Sequence, residues 1–438
     1  MFRRLSRQAQ QSAPRADTRS SVRILVMSLL LVLAMGVGVG IDRVLIESGV
    51  VGASTELTAS DEFTILEETY DAIRNNYVLE EEISDQELIY GAARGMVEAL
   101  GDENHSQFLD PEEAEQFEQS GRGELVGIGI HIDTSGNLPV VVAPLPGSPA
   151  LEAGIRPGDV ILEVDGTSLE EVDPEEAADL IRGEEGTTVT LVLQHEGEDE
   201  PYEVTLTRER IKVNPVTWVM LPGDIVWVQL SEFSAGATEE LKNAIRQATE
   251  LGAQGLILDL RNNPGGYVHE AKGVASQFLP DGTVLMRTVD AQGNEHIERT
   301  IGNNGVWLDR PMVVLVNEYS ASSSELVSSA IKAAGRAPLI GERTVGTGTV
   351  LLPFELSDGS MAVLGVELWL TAGGEEIYKK GIEPTIPVEL EEGVSLALPI
   401  EFVSDQTDHI LTDREWASIE DVQLQTAYSE LAEQLAAD

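Results

Sequence analysis

Three apolar runs in the second half of the chain are each followed by a turn and then by a helical pattern. The runs predict buried strands at Ile225–Leu230, Gly255–Leu260 and Met312–Val316. Apolar residues at three- and four-residue spacing predict helices after them, at 238–250, 270–278 and 323–334. Alternation of strands and helices implies a partly parallel sheet with helices packed on it. No other feature of the sequence constrains the fold as strongly.

The third run leads into a serine-rich turn that has two interpretations. Ser322 lies between the strand that ends at Val316 and the helix that begins directly after it. A serine on a sharp strand-to-helix turn is where a hydrolase can expose a nucleophile near the positive end of a helix. Ser322-x-x-Glu325 also has the pattern of a capping box, which satisfies free amides at a helix start. From this turn alone both interpretations remain open.

A glycine-rich turn follows the second run. The strand that includes Leu256 and Leu260 ends in the segment Arg261-Asn262-Asn263-Pro264-Gly265-Gly266. Ligand sites in open α/β sheets lie at the carboxyl ends of strands, so this turn and the Ser322 turn are expected to face one crevice. Backbone amides of a glycine turn can stabilise a tetrahedral oxyanion.

Composition excludes several kinds of site. The length of 438 residues favours two or three domains, and the absence of cysteine excludes disulfides, thiolate nucleophiles and cysteine metal sites. The histidines show no metal-ligand spacing, so neither a metal nor another cofactor is predicted. They are at positions 105, 131, 195, 269, 296 and 409. A formal net charge of −48 argues against binding to nucleic acid.

The first 41 residues have the pattern of a targeting segment. Residues 1–23 form a basic lead that is expected to stay cytoplasmic, and residues 24–41 are uncharged and mostly aliphatic. Eighteen such residues are near the lower limit for a transmembrane helix. A cleaved signal is the alternative, because Val51-Gly52-Ala53 offers small residues near a plausible cut. The bulk of the chain is therefore expected outside the cytoplasm, on a single-pass anchor or secreted.

Two further regions are predicted to be mainly helical. Residues 55–122 show apolar residues at helical spacing, a Gly101-Asp102 break and an Asp110-Pro111 helix start, which together predict a small helical domain. Residues 396–438 form an acidic tail that ends in an amphipathic helix at Val422–Leu435. The tail has no catalytic motif and is interpreted as a packing or assembly element.

Between these regions the pattern changes to short β runs separated by glycines. The segment from Ser148 to Gly166 has the form Ser-Pro-Ala-x-x-Ala-Gly-Ile-x-Pro-Gly-Asp-x-Ile-x-x-Val-Asp-Gly. This segment resembles a PDZ domain, over residues 124–211. Such domains bind a peptide as an added strand and hold its terminal carboxylate in a glycine-rich loop. By resemblance, the loop here is Gly127-Ile128-Gly129-Ile130.

Taken together, the chain resembles a carboxyl-terminal-processing protease of the S41 serine peptidase family. The resemblance spans nearly everything after the anchor and implies a multidomain α/β fold with an S41 (ClpP/crotonase-like) α/β protease core at 212–395. Together with the aliphatic stretch at 24–41, it predicts an N-terminal membrane anchor, a helical domain, a PDZ-like domain and this core. The family-like motifs are Asn-Tyr-Val at 76–78, Tyr-Gly-Ala-Ala-Arg-Gly-Met at 90–96, Leu-Gly-Asp at 100–102, Asp-Leu-Arg-Asn-Asn-Pro-Gly-Gly at 259–266, Ser-Ala-Ser-Ser-Ser-Glu at 320–325 and Lys-Gly-Ile-Glu-Pro at 380–384.

The resemblance also implies roles for individual residues. Ser322 has the place of the nucleophile, and the backbone amides of Gly265, Gly266 and Ser323 would form the oxyanion hole. The family's general base is a lysine between two glycines, supported by a glutamine four residues later. Thr347 stands at the lysine position of this chain, and Leu351 stands at the glutamine position. Loss of such a base typically lowers the rate on the order of 10⁴- to 10⁶-fold.

Other candidate bases are weaker. Lys332 lies about ten residues along the same predicted helix, roughly 15 Å from Ser322 by helical rise. Lys379 and Lys380 lie where the family has a non-catalytic lysine. Some relatives in the wider family take a histidine base from the region before the core, and His105 best fits that placement. Because lysine-type members also carry a histidine near this position, a structural role for His105 stays open.

Three functions follow from these patterns. The first is an S41-type protein that binds exported polypeptide C-terminal tails through the PDZ domain, with proteolysis lost or strongly weakened. Such a pseudoenzyme could form a homodimer or pair with an active relative. The second is a working serine endopeptidase that uses Ser322 with another base such as His105. The third is a scaffold that binds no peptide.

Overall fold

The computed structural model describes residues 61–437 except 79–82, 103–104, 134–137, 146, 170–171, 173, 196–199, 303–304, 391–395 and 403–409. Within these ranges, no helix is both long enough and apolar enough to cross a bilayer. The predicted anchor at 24–41, its basic lead and the possible cut at 51–53 all lie outside the described residues.

Three helices open the described part of the chain: α1 (Asp61–Asn76), α2 (Asp85–Glu98) and α3 (Pro111–Gly121). Ser84 and Asp110 begin α2 and α3 with capping boxes that satisfy their first amides. A short strand, β1 (Gln107–Leu109), lies between these two helices and pairs with a strand of the protease core. The region predicted as a helical domain therefore contributes one strand to a sheet of the core.

The PDZ-like region forms one antiparallel sheet with two short helices. Its strands lie in the order β3-β4-β5-β7-β8, with β6 paired to β5. The elements are β2 (Glu124–Gly127), β3 (Ile130–Asp133), β4 (Val140–Pro144), α4 (Pro149–Glu152), β5 (Val160–Val164), β6 (Thr167–Ser168), α5 (Pro174–Ile181), β7 (Thr188–Gln194), β8 (Tyr202–Thr207) and β9 (Glu209–Lys212). Strand β3 is at the edge of this sheet. Strands β2 and β9 form a separate antiparallel ribbon at the two ends of the region.

The centre of the core is a six-stranded sheet in the order β10-β11-β12-β15-β16-β19. Only β10 is antiparallel to its neighbour. The strands are β10 (Val216–Leu221), β11 (Ile225–Leu230), β12 (Gly255–Asp259), β15 (Met312–Val316), β16 (Leu339–Gly341) and β19 (Ile386–Pro387). The predicted strands β11 and β15 are confirmed to the residue, and β12 ends one residue earlier than predicted.

Both faces of this sheet are covered by helices. Helices α6 (Ala237–Glu250), α7 (Val268–Ala275) and α8 (Ser323–Ala333) pack on one face, against side chains such as Val226 and Leu258. The last helix, α10 (Val422–Ala437), packs on the other face, against Trp227 and Ile257. Side chains alternate between the two faces of a strand, so the apolar residues of each strand contribute to the hydrophobic cores on both faces of the sheet.

A second core sheet has the order β1-β18-β13-β14, with β17 also paired to β18. Its strands are β13 (Val284–Asp290), β14 (Glu295–Arg299), β17 (Thr349–Glu355) and β18 (Met361–Thr371). A 3₁₀ turn at Pro399–Phe402 and helix α9 (Asp413–Ser418) lead to α10. The tail is therefore a packing element of the central sheet.

A buried ion pair joins the tail to the glycine-rich turn. Arg261 Nη2 lies 2.6 Å from Asp259 Oδ2, and Arg261 Nη1 lies 2.6 Å from Asp421 Oδ2. All three side chains are buried, and Trp227 Nε1 also donates to Asp259. Burial of two opposed charges is favourable only with good geometry and further hydrogen bonds, and this cluster has both.

Candidate active site

The Ser322 turn and the glycine turn lie side by side at the carboxyl ends of β12 and β15. These two strands are parallel neighbours, with Asp259 opposite Leu315. A Cβ added at residue 265 would lie 2.7 Å from Ser322 Cβ and 2.9 Å from the Ser323 nitrogen. The contact is too close for any side chain, so glycine is required at 265. The two turns therefore pack directly against each other.

Ser322 has a backbone conformation that a simple helix cap does not need. Its φ is 50° and its ψ is −114°. The other capping-box residues of the described chain, Ser84, Asp110 and Thr412, all have extended backbones with φ between −69° and −74°. A positive φ in a non-glycine residue is uncommon and costs of order 1–3 kcal/mol. This strained backbone conformation is the one expected of a serine on a nucleophile turn.

Glu325 is the centre of the hydrogen-bond network around this turn. The side chain is fully buried and accepts five hydrogen bonds. Oε2 accepts from the amides of Ser322 and Thr347, each at 3.0 Å, and from Thr347 Oγ1 at 2.6 Å. Oε1 accepts from Thr344 Oγ1 at 2.6 Å and from the Gly346 amide at 2.7 Å. Burial raises the pKa of Glu325, and the hydrogen bonds from Thr344, Thr347 and Gly346 oppose that shift.

Thr347 links this network to the backbone of Ser322. Its Oγ1 accepts a hydrogen bond from the Ser322 amide at 3.0 Å and donates its own proton to Glu325. Thr347 is thus in contact with the Ser322 turn. Leu351 is buried in an apolar cluster with Phe117 and Val363.

Two backbone amides beside Ser322 are without a hydrogen-bond partner among the described residues: those of Gly266 and Ser323. The Ser323 amide is in the first turn of α8, where no intrahelical acceptor exists. The Gly265 amide donates to Asn263 Oδ1 at 2.8 Å. Of the three oxyanion donors predicted from the sequence, Gly266 and Ser323 therefore have N–H groups available, and Gly265 has its N–H engaged.

All six lysines of the chain lie within the described residues, and none contacts Ser322. Five have other partners for Nζ, and Lys212 is exposed on β9. The partners are Glu239 for Lys242, Glu298 for Lys272, the Glu383 carbonyl for Lys332, the Gly101 carbonyl for Lys379 and Glu376 for Lys380. No lysine is thus positioned to act as the base.

His105 is buried close to the Thr347 turn. Its ring lies 5.7 Å from the Tyr378 ring, and the Tyr378 backbone packs directly against Gly348. His105 Nδ1 is buried and has no hydrogen-bond partner. Burial lowers the pKa of His105, which keeps the imidazole neutral at physiological pH. A neutral imidazole with an unpaired nitrogen has the chemistry of a general base.

The predicted carboxylate loop of the PDZ-like region is tightly packed. The Ile128 and Gly129 carbonyls accept hydrogen bonds from the amides of Ala150 and Leu145. Gly129 has a φ of 73°, and a Cβ there would lie 2.3 Å from Ser148 Cβ. Nothing lies within 4 Å of a Cβ added at Gly127. The loop leads into the edge strand that begins at Ile130, which is where an added peptide strand would pair.

Two carboxyl groups near these turns were not predicted from the sequence as functional residues. Glu325 was considered only as half of a capping box, because its contacts with Gly346 and Thr347 span more than 20 residues. Glu232 was not singled out. It follows β11 and precedes Phe233, whose backbone packs against Gly266. Its position after a parallel strand was the signal that could have drawn attention to it. Across the described ranges, no group of His, Asp and Glu side chains could hold a metal ion.

Burial raises the pKa of Glu232 to about 7 from an ordinary value of 4.5. The stability that this group contributes is therefore complete below about pH 4.5 and is lost as the pH rises through about 7. We expect Glu232→Gln to raise the free energy of unfolding by about 1–3 kcal/mol at pH 8.5, with a smaller gain at pH 5.5. Urea unfolding followed by tryptophan fluorescence measures both values. Glu250→Gln makes the same charge change on an exposed residue, and its effect on the free energy of unfolding should not depend on pH in this way. A gain that is the same at both pH values would contradict this account.

The chain is similar in sequence to known peptidases over most of its length. Residues 224–388 match peptidase family S41, and residues 140–195 match the PDZ domain. The chain is 35% identical to the carboxy-terminal processing protease CtpA of Bacillus subtilis over 349 residues, 80% of this chain and 74% of that protein. It is 39% identical to a carboxyl-terminal-processing protease of Synechocystis over 323 residues, 72% of this chain and 74% of that protein. A solved photosystem II D1 C-terminal processing protease is 31% identical, with 75% and 94% of the two chains covered and a TM-score of 0.45.

Proposed function

This chain belongs to the S41 peptidase family of carboxyl-terminal processing proteases, and from that membership we propose that it binds polypeptide C-termini through its PDZ domain while hydrolysis at Ser322 is lost or strongly weakened. The observation that carries the proposal is the position of Thr347. Its hydroxyl contacts the Ser322 turn where the resemblance places a lysine, and it donates its proton to Glu325.

A serine hydroxyl attacks a peptide carbonyl efficiently only when a neighbouring group takes its proton. A lysine can do so when burial lowers its pKa, whereas a threonine hydroxyl cannot accept a proton near neutral pH. Three features support substrate binding: the edge strand β3, the free amides of Gly266 and Ser323, and the strained Ser322 turn. Binding without efficient turnover follows from this combination.

A working peptidase with His105 as the base is the second candidate. The buried, unpaired Nδ1 of His105 favours it, together with the packing of Tyr378 between His105 and Gly348. The proposed location, outside the cell membrane and anchored by residues 24–41, is supported by the sequence pattern alone.

Cleavage of an unstructured polypeptide with an apolar C-terminus separates the two candidates. We expect the wild-type chain and Ser322→Ala to give the same background rate. Cleavage by the wild type that disappears in Ser322→Ala would disprove the loss of proteolysis. If that cleavage also disappears in His105→Gln but survives in His269→Gln, an exposed histidine near the same turn, His105 is the base.

Peptide binding is tested on the full chain with a fluorescent peptide ending in an apolar residue. We expect the peptide with a free carboxylate to bind at least about tenfold more tightly than its C-terminal amide, because backbone amides favour the anion. Gly127 has room for a side chain, so Gly127→Asp should repel the carboxylate while Gly127→Asn, its neutral match, should not. Equal affinity for the two peptides in the wild-type chain would show that this loop does not recognise a C-terminus.

A further inference from the structure

Asn263 connects the ends of three neighbouring strands. The residue is fully buried. Its Nδ2 donates to the Leu230 carbonyl at the end of β11 at 2.7 Å, and its Oδ1 accepts from the Gly265 amide at 2.8 Å. Its own carbonyl accepts from the Ala321 amide at 3.0 Å and from Ser324 Oγ at 2.9 Å. One side chain and one carbonyl thus join β11, the glycine turn and the Ser322 turn.

The bond to Gly265 determines which amide is left for a ligand. With its N–H directed to Asn263, Gly265 cannot donate into the crevice. The next peptide plane is fixed by the Phe233 amide, which donates to the Gly265 carbonyl at 2.7 Å. In a trans peptide the C=O and the following N–H point in opposite directions, so the Gly266 N–H points away from Phe233.

The second free amide is held by the carbonyl of the same residue. The two groups that donate to the Asn263 carbonyl are on Ala321 and Ser324, which bracket Ser322 and Ser323. The Ser323 side chain adds a further link, because its Oγ donates to the Gly266 carbonyl at 2.8 Å. The Gly266 and Ser323 amides are therefore held relative to each other through Asn263.

We propose that Asn263 is the positioning residue of the oxyanion site, and that this site still binds a tetrahedral anion although the base is absent. The proposal rests on the proposed function in that it takes the Ser322 crevice as the place of the scissile peptide. The proposal goes beyond the proposed function because it assigns the arrangement of the two amide donors to Asn263, whose side chain bonds only to the protein backbone. A preorganised pair of amides stabilises such an anion without a general base.

The probe is the tripeptide boronic acid acetyl-Ala-Ala-boroAla, added to the full chain. The Ser322 hydroxyl oxygen forms a bond to the trigonal boron, and the hydroxyl proton is released to solvent. The product is a tetrahedral boronate anion that requires Ser322 Oγ and the two amides but no base. The ¹¹B NMR resonance separates tetrahedral from trigonal boron, and titration gives the dissociation constant.

We expect wild-type chain to form the tetrahedral adduct and Ser322→Ala to form none. Asn263→Ala should bind the boronate about tenfold more weakly or worse, since it frees the Gly265 amide. Asn263→Ser has nearly the same volume as the alanine variant and keeps a hydroxyl acceptor for the amide two residues later, so it should recover much of the affinity. Gln277→Ala removes a buried amide just after the end of α7, whose Nε2 donates to the Gly273 carbonyl and to neither turn, and it should lower the melting temperature without changing the affinity.

Two results would overturn the proposal. One is a wild-type chain that forms no tetrahedral adduct. The other is an Asn263→Ala variant that binds the boronate as tightly as Gln277→Ala while both are folded by tryptophan fluorescence. Peptide cleavage by the wild type would disprove the loss of proteolysis but would leave this test intact, because adduct formation does not depend on the base.

Discussion

Thr347→Lys is expected to raise peptide cleavage by at least about 10²-fold over the wild-type chain. General-base catalysis by a positioned side chain contributes typically about 10²–10⁴-fold. The Thr347 hydroxyl is already 3.0 Å from the Ser322 amide, and the amides of Gly266 and Ser323 are available for the oxyanion. The substitution adds a general base beside Ser322.

The pH profile of that variant provides a second readout. Residue 347 is buried, and burial lowers the pKa of a lysine, whereas the adjacent Glu325 carboxyl raises it when ionised. Because the neutral amine is the base, the rate should increase as the pH rises toward the pKa of the new lysine. A rate that is independent of pH would mean that the lysine is not accepting the proton.

The controls for Thr347→Lys separate the base from the change in size. Thr347→Met introduces a long side chain without an amine and should leave cleavage at the wild-type level. Thr347→Lys combined with Ser322→Ala should also be inactive. Cleavage of an unstructured polypeptide, followed by mass spectrometry, measures all four proteins. If Thr347→Lys is folded and binds the boronate but cleaves no faster than Thr347→Met, the missing lysine is not the cause of inactivity.

Glu325→Leu is expected to lower the free energy of unfolding by about 3–6 kcal/mol. Leucine fills similar space but leaves the amides of Ser322, Gly346 and Thr347 without their acceptor in a buried site. Each such orphaned group costs about 1–3 kcal/mol, partly relieved where hydroxyls rotate. Since domains are typically stable by only about 5–15 kcal/mol, this loss is large.

Urea unfolding of the core can be followed by tryptophan fluorescence. Four of the five tryptophans lie between residues 218 and 369, and the fifth, Trp416, is beside the packed tail. Glu325→Gln keeps the shape and one acceptor oxygen, so it should lose less stability than Glu325→Leu. An unchanged urea midpoint for Glu325→Leu would show that the five hydrogen bonds do not hold the Thr347 turn against Ser322.

The sequence predicted three of the six strands of the central sheet, because the signals of these three are local. Strands β11 and β15 are mostly apolar runs, and both were located to the residue. Gln107–Leu109 was missed as a strand, since three residues carry no readable period and their partner on β18 is more than 250 residues away. Local patterns identify elements but do not identify distant partners.

In the candidate site too, local patterns were readable from the sequence and distant contacts were not. Ser84, Thr412 and Ser322 all begin the pattern Ser/Thr-x-x-Glu, yet only Ser322 has a positive φ. Ser322 also packs closely against Gly265 at the end of the neighbouring strand, a contact that is not visible in the local pattern. The assignments of Ser322 and Thr347 came from family resemblance, whereas the links through Glu325 depend on contacts that only the structure provides.

The buried pairing of Arg261 with Asp421 also sets an order of events during biosynthesis. The two residues are 160 positions apart in the sequence. At about 5–20 residues per second, Asp421 emerges roughly 10–30 seconds after Arg261. Until then Arg261 lacks one of its two carboxylates and the sheet face around Trp227 lacks α10. This face of the central sheet can therefore be covered only after Asp421 and α10 have been synthesised.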